Sequence, residues 1–386
     1  MIASPMKIGM GDFRFGALER RYIQKVIESN RLSYGQMSKE FETKFSCLHG
    51  CKHGVFVNSG TSALQIALQS LKEHYGWEDE AEVLVPSVTF PATVNIVLHN
   101  GFKPVFVDVD PKTYNMDPEK IKEKLTLHTR AIIPVHLMGL PCDMEKIMAI
   151  ANDNLLRVIE DSCEAMFVGQ NGRSVGSFGD VGCFSTYVAH ILQTGIGGLC
   201  TTNNEDFAIK IRSLANHGRD PAYLSIDDDD DDDNKDVIDK RYRFLSIGHS
   251  FRATELEAAI GLAQLENPAL QARRKNVGAA LMLRLSDLPD LQLPVIPEGL
   301  DHAFMFFPLV VDRKKEFVRH LERNGIETRD LMPLLNQPCY RGIGIKMEDY
   351  PVAKHLEEHG LAIGCHSYMS HEEIDYVVDK IHAFWA

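Results

Sequence analysis

The sequence of 386 residues predicts an α/β protein: a large, mostly parallel sheet covered by helices on both faces, then a smaller C-terminal α/β domain. Three observations predict it. Short β-branched runs alternate with helical segments, apolar residues recur at helical spacing between those runs, and the length allows a large core split over two domains. We place the boundary after residue 250, with residues 1–250 as the large domain and 251–386 as a linking helix and the smaller domain.

In chain order, Leu18 to Ile27 and Met37 to Leu48 space their apolar residues as amphipathic helices do. Asn58-Ser-Gly-Thr-Ser reads as a strand-to-helix turn, with Ala63 to Leu71 as the helix behind it. Glu82-Val-Leu-Val-Pro, Pro104-Val-Phe-Val-Asp, Ala131-Ile-Ile-Pro-Val and Arg157-Val-Ile-Glu-Asp read as strands, with helices at 92–99, 117–125 and 143–153 between them. Ala253 to Glu266 and 268–284 are helical in pattern; strand 304–311, helix 313–323 and a final helix 371–384 complete the chain.

The net charge of -13 argues against sequence-independent binding to nucleic acid, which needs clustered Lys and Arg. Seven of the acidic residues form one run, Asp227 to Asp233, which buries nothing and reads as a solvated loop. It lacks the turn glycine and ligand spacing of an EF-hand, so no metal site is assigned there. The first residues lack a signal-peptide core, and no apolar stretch reaches the ~18 residues of a membrane span. A cytoplasmic protein without a membrane partner is the expectation. Eight scattered cysteines, at 47, 51, 142, 163, 183, 200, 339 and 365, suit buried reduced thiols better than a disulfide framework. Cys47 and Cys51 have no second close pair to complete a metal site.

Three motifs carry chemistry. Gly60-Thr61-Ser62 at a helix start offers amides, hydroxyls and the positive end of the helix dipole, as a phosphate requires, although such a turn by itself is also an ordinary cap. Asp161, in Glu160-Asp-Ser-Cys-Glu164, closes an apolar strand, where a buried carboxylate must find a partner. Cys183-Phe-Ser-Thr-Tyr-Val-Ala-His190 leads into Gly195-Ile-Gly-Gly198. Together these resemble the cofactor framework of pyridoxal-phosphate enzymes of aspartate-aminotransferase fold, and more narrowly the DegT/DnrJ/EryC1/StrS sugar aminotransferases. The resemblance runs from Gly35 to the C-terminus.

The resemblance implies roles. Gly60, Thr61, Ser62 and Ser185 would form the phosphate cup; Phe90 would stack on the cofactor ring; Asp161 would pair with the pyridine nitrogen and make the ring an electron sink. Glu164 stands where many relatives have a glutamine near the ring hydroxyl. Asn216-His217-Gly-Arg219 matches the family's Asn-His-Gly-Arg loop and implies substrate contacts for His217 and Arg219. Gly248-His-Ser250-Phe-Arg matches Gly-x-Asn-Tyr-Arg, with Ser250 in place of the asparagine that reaches the neighbouring subunit's phosphate. A homodimer with a shared active site follows from the resemblance.

His190 occupies the place of the family's cofactor-binding lysine. Histidine cannot make that covalent bond, but with an ordinary pKa near ~6.5 it can accept and return a proton. A lysine-less branch, the 3-dehydratases of nucleotide-linked 4-keto-6-deoxyhexoses, is similar here, with Tyr-Pro-Ala-His against Tyr187-Val-Ala-His190. That likeness implies pyridoxamine phosphate as the working cofactor, His190 as acid and base, loss of the C3 hydroxyl, and L-glutamate as amino donor for turnover. No cysteine lies between Cys200 and Cys339, so an iron–sulfur version of the chemistry is not expected. Ile196 at a usual glutamate, Val188 at a usual proline and Ser250 depart from the pattern. Two alternatives therefore stay open: an aminotransferase working without the lysine, and a non-catalytic relative that binds cofactor or sugar.

Overall fold

The structure is a computed structural model that describes residues 6–221, 242–331 and 335–386. The Asp227 to Asp233 run lies outside the described residues. A seven-stranded sheet is built from β1 (His53–Val57), β2 (Glu82–Pro86), β3 (Lys103–Val107), β4 (Thr129–Ile132), β5 (Arg157–Asp161), β8 (Val181–Ser185) and β9 (Gly198–Thr202). A two-residue-per-strand hairpin, β6 (Gly169–Gln170) and β7 (Arg173–Ser174), lies between β5 and β8 in the chain. The order across the sheet is β1-β9-β8-β5-β4-β2-β3. Only β9 runs against the others, pairing antiparallel with β1 and β8.

Burial on both faces explains why the strands read as continuous apolar runs. One side is covered by the helix Gly60–Tyr75, whose Leu64, Ile66, Leu68 and Leu71 are at most 1% exposed. Full burial of each such side chain contributes about 1.5–3 kcal/mol. That helix ends at Gly76, whose φ of 63° suits glycine. The helix Met144–Asp153 helps cover the β2–β4–β5 region through Met144 and Ile147.

A three-stranded antiparallel sheet, order β10 (Phe306–Val310), β12 (Gly360–Gly364), β11 (Thr328–Asp330), forms a second core with the helices Ala269–Arg284, Lys314–Arg323 and His371–His382. Ile8 joins this second core, whereas the helix Glu255–Leu265 packs with Tyr22, Phe41 and Phe45 of the N-terminal helices.

Most expected elements lie within a few residues of their expected ends. Strand β4 ends at Ile132 rather than running to residue 135, because Pro134 has no N–H to continue the ladder; the chain nevertheless stays beside β5, with the Pro134 carbonyl accepting the Asp161 amide and the His136 amide donating to the Asp161 carbonyl. β8, β9, β11, β12 and the helices Glu205–Ala215 and Pro351–His359 were not anticipated. All eight cysteines are free thiols; Cys47 and Cys339 are exposed, which corrects the expectation of burial for those two. Cys47 lies on the exposed face of the helix Gln36–Leu48, whose Phe41 and Phe45 are buried, and Cys339 lies in the turn Pro338–Ile343. No described helix is long and apolar enough to cross a membrane.

Candidate active site

Every parallel strand that bears a candidate residue delivers it at its carboxyl end, where ligands of open α/β sheets bind. The turn after β1 carries Gly60 and Thr61; β5 ends at Asp161; β8 ends at Ser185; the segment after β2 carries Thr89 and Phe90. These surround one cavity of about 380 Å³, which His190 and Glu164 also line. From the C-terminal half of the chain come Met305 and Phe306.

The helix start is built for close approach. Ser59 is its N-cap, accepting from the Ser62 amide at 3.0 Å. A Cβ on Gly60 would lie 2.7 Å from both Cys163 Sγ and Ser185 Cβ, so only glycine lets this turn pack against β8. Thr61 is exposed, and the first amides of the helix have no intrahelical acceptor. The Ser62 hydroxyl points elsewhere, donating to Asn58 Oδ1 at 2.7 Å.

Alternation along β5 sends its last two carboxylates to opposite faces. Glu160 Oε1 accepts the Phe178 and Gly179 amides, and Oε2 takes that of Gly176. The His136 ring stands 3.1 Å from Oε2; its Nδ1 accepts from the Cys142 amide, so its proton sits on Nε2 and is directed at Glu160. Asp161 lines the cavity. Its Oδ2 accepts from Thr93 Oγ1 at 2.8 Å and its Oδ1 from the Cys163 amide at 3.2 Å. Among the described residues no Lys or Arg pairs with Asp161; burial raises its pKa, and the Thr93 and Cys163 hydrogen bonds oppose that.

Glu164 Oε2 accepts the Met138 amide at 2.7 Å. Met138 is held at φ 55° to present it. Burial, opposed by the Met138 amide, together with the Asp161 charge pushes the Glu164 carboxyl up to about 7. Phe90 is 53% exposed and lines the cavity. The Ser185 hydroxyl accepts from the Tyr187 amide at 3.4 Å.

His190 lies on a turn whose amide bonds the Tyr187 carbonyl at 2.8 Å. Its Nδ1 is buried with no protein partner. Burial, opposed by the Tyr187 carbonyl and helped by the Arg274 charge, holds the imidazole down at about 4, so it is uncharged at neutral pH.

Three observations fit a pyridoxal-type cofactor: a buried carboxylate without a cation, a helix start stripped of Cβ at its closest approach, and a buried imidazole nitrogen without a partner. Three other candidates lie off the cavity. His217 is exposed with φ 61°; Arg219 is buried, its guanidinium over the Tyr242 and Phe244 rings; Ser250 is exposed, its hydroxyl accepting from Arg252 at 3.2 Å. Sequence reasoning missed Ser59, Thr93, Met305 and Phe306. Thr93 was within reach, since it follows Phe90 by three residues on the helix Pro91–His99.

Comparison with known proteins gives the same fold. The model of the DegT/DnrJ/EryC1/StrS aminotransferase family matches residues 15–382. A UDP-N-acetyl-3-dehydro-alpha-D-glucosamine 3-aminotransferase of Acidithiobacillus ferrooxidans is 35% identical over 364 residues, covering 93% of this chain and 91% of its own. A dTDP-4-dehydro-2,6-dideoxy-D-glucose 3-dehydratase of Saccharopolyspora spinosa is 32% identical, covering 92% of this chain and 82% of its own. The structure of the E. coli GDP-4-keto-6-deoxy-D-mannose-3-dehydratase with bound hydrated pyridoxal phosphate superposes with a TM-score of 0.86 at 25% identity, covering 98% and 100% of the two chains.

Proposed function

This chain belongs to the DegT/DnrJ/EryC1/StrS aminotransferase family, and from that premise we propose that it removes the C3 hydroxyl of a nucleotide-linked 4-keto-6-deoxy sugar. It is a pyridoxal-phosphate-dependent enzyme that modifies nucleotide sugars, and the proposal concerns which modification. The observation that carries it is His190: a half-buried, uncharged imidazole whose buried Nδ1 has no partner, beside the carboxylate-lined cavity.

Bound as pyridoxamine phosphate, the cofactor supplies an amine for the sugar ketone and a ring that accepts electrons from its C4′ carbon. The protein does the rest. The amides at the start of the helix Gly60–Tyr75, with the Thr61 and Ser185 hydroxyls, receive the phosphate. Asp161 holds a proton on the pyridine nitrogen, which supplies the cation its buried carboxylate lacks. Phe90 offers a ring face. His190 accepts the proton at C4′ and delivers it to the departing C3 oxygen. Glu164, with its carboxyl near neutrality, can donate a hydrogen bond where a glutamine would. The C3 oxygen would leave as water, and over one cycle L-glutamate would be oxidised to 2-oxoglutarate, with its nitrogen released as ammonia and the sugar reduced to the 3-deoxy-4-keto product.

His217, Arg219 and Ser250 do not line this cavity; we assign them to the cavity of a second subunit in a homodimer, His217 and Arg219 toward the sugar and Ser250 toward the phosphate. A second reading, transamination without a lysine, is favoured by the 35% identity to a 3-aminotransferase.

The two separate in one mass-spectrometric assay with pyridoxal phosphate, L-glutamate and a panel of nucleotide-linked 4-keto-6-deoxyhexoses. Loss of one sugar oxygen with release of ammonia supports dehydration. Conversion of the ketone to an amine, hydroxyl retained, establishes the second reading. No change in any sugar despite bound cofactor rejects both for this panel.

A further inference from the structure

The helix Ala269–Arg284 carries none of the motifs above, yet one of its side chains reaches the turn of His190. Arg274 is 3% exposed, and among the described residues it has no carboxylate partner. Its guanidinium donates instead to backbone carbonyls: Nη1 to Met305 at 2.9 Å, Cys365 at 2.6 Å and Phe304 at 3.4 Å, Nη2 to His190 at 3.3 Å. Its Nε has no partner. A buried cation held only by carbonyls costs more than an apolar residue of the same volume, so stability alone does not account for it.

The carbonyls it gathers explain it better. His190 and Met305 stand on the cavity wall, and they come from segments far apart in the chain. The same helix face shapes the second segment. Gly278, one turn beyond Arg274, has no Cβ to collide with the Phe304 ring lying against it, and Phe304 sits at φ 50° just before Met305. The His190 carbonyl also accepts from Gln193 Nε2 at 3.1 Å, and Gln193 is gripped through its own backbone by the Gln264 amide. A lysine would be fixed by its bond to the cofactor. A histidine is fixed only by its turn.

We propose that Arg274 is a positioning residue for His190: by binding the carbonyls of His190 and Met305 together, it sets the imidazole at the place on the cavity wall where it can move a proton. This inference rests on the assignment of His190 as the proton carrier. Among the other titratable groups, the Tyr187 ring on the same turn packs edge-on against the imidazole, and Asp161, Glu164 and Cys163 line the same cavity.

The test compares Arg274→Lys and Arg274→Met with the wild type in the cofactor-loaded, full-length protein. The ring C–H resonance of His190 is followed in histidine-labelled samples and assigned by its loss in His190→Asn; turnover is measured on a sugar that the wild type converts. Arg274→Met is expected to displace the His190 ring resonance and to raise its titration only slightly, since burial, the main cause of its low value, remains, and to lower kcat about 100-fold, with sugar KM little changed. Arg274→Lys keeps a cation but loses the forked reach, so the titration stays low while kcat falls about 10-fold. A lower melting temperature with unchanged resonance and kcat in both variants overturns the proposal. If Arg274→Met does not fold, wild-type kcat and resonance in Arg274→Lys overturn it. If the wild type converts no sugar, the proposed reaction fails, while the resonance still reports whether Arg274 positions His190.

Discussion

The Thr93 hydroxyl donates to Asp161 Oδ2 at 2.8 Å from the first turn of the helix capped by Phe90, so the ring shelf and the carboxylate partner are braced by one element. A hydrogen bond to a charged group contributes about 1.5–3 kcal/mol. Thr93→Val keeps the shape and removes it, pushing the Asp161 pKa further up. We expect cofactor binding to weaken about 10- to 100-fold, measured by cofactor fluorescence, and Asp161→Asn to lower turnover by about 100-fold or more even when cofactor is retained. Unchanged affinity in Thr93→Val and near-normal rates in Asp161→Asn sink the assignment of Asp161.

Gly60→Ala tests the close approach of the phosphate turn. Its new Cβ meets Cys163 Sγ and Ser185 Cβ at 2.7 Å, and overpacking of this kind costs about 1–3 kcal/mol. The helix start must shift away from β8, and cofactor affinity should fall with it. Adding Cys163→Ala removes one of the two collisions, so partial recovery of both melting temperature and affinity is expected. Recovery of stability without affinity means that the turn does not hold the phosphate.

Period and local chemistry made much of this legible in the sequence. The helix at 143–153 and the strand at 157–161 were visible because their apolar spacing is set by their own burial. The phosphate turn and Asp161 were visible because special chemistry falls at strand ends. What stayed hidden depends on distant pairing. β9 reads like its neighbours, and only its register with β1 and β8, such as Cys200 beside Val55 and Cys183, reveals that it runs backwards. Arg274 on a helix reads as a solvated charge; its burial is fixed by carbonyls 30, 31 and 91 residues away. Met305 reaches the cavity for the same reason.

His49 gives a stability prediction with a definite sign. Its ring is fully buried among Phe45, Phe167 and Phe184; Nδ1 stands 3.0 Å from the Val175 carbonyl, while Nε2 has no partner. Burial holds it down at about 4. The unfolded chain, with a pKa near ~6.5, binds the extra proton first, so stability is full above that value and falls as pH drops toward 4. Between pH 7 and 5 this one group should cost about 2 kcal/mol. Urea unfolding at the two pH values, in wild type and His49→Gln, checks it; an equal loss in both would rule the effect out.

His190→Lys restores the side chain that forms a covalent bond with pyridoxal phosphate. If residue 190 faces the reactive carbon, the variant should gain a visible absorption band and a borohydride-fixable mass increase equal to the cofactor, located on residue 190 by peptide mapping. Sugar dehydration should fall, because the lysine ties up the aldehyde and removes the imidazole. Cofactor bound without attachment would show that residue 190 faces elsewhere.

Glu164 should titrate where the enzyme works. Its carboxyl is pushed up to about 7 by burial, with the Asp161 charge adding and the Met138 amide opposing. The protonated acid is therefore present at pH 6 and largely gone at pH 8 in the cofactor-free protein. Infrared difference spectra should show a protonated-carboxyl band lost between those values in wild type and missing throughout in Glu164→Gln. The glutamine variant keeps a hydrogen-bond donor at every pH, so its cofactor affinity should stop depending on pH across that window, whereas the wild type should bind more weakly as the pH rises and a second negative charge joins Asp161. The same pH dependence in both proteins would assign the titration to another group and leave Glu164 as a structural acceptor of the Met138 amide.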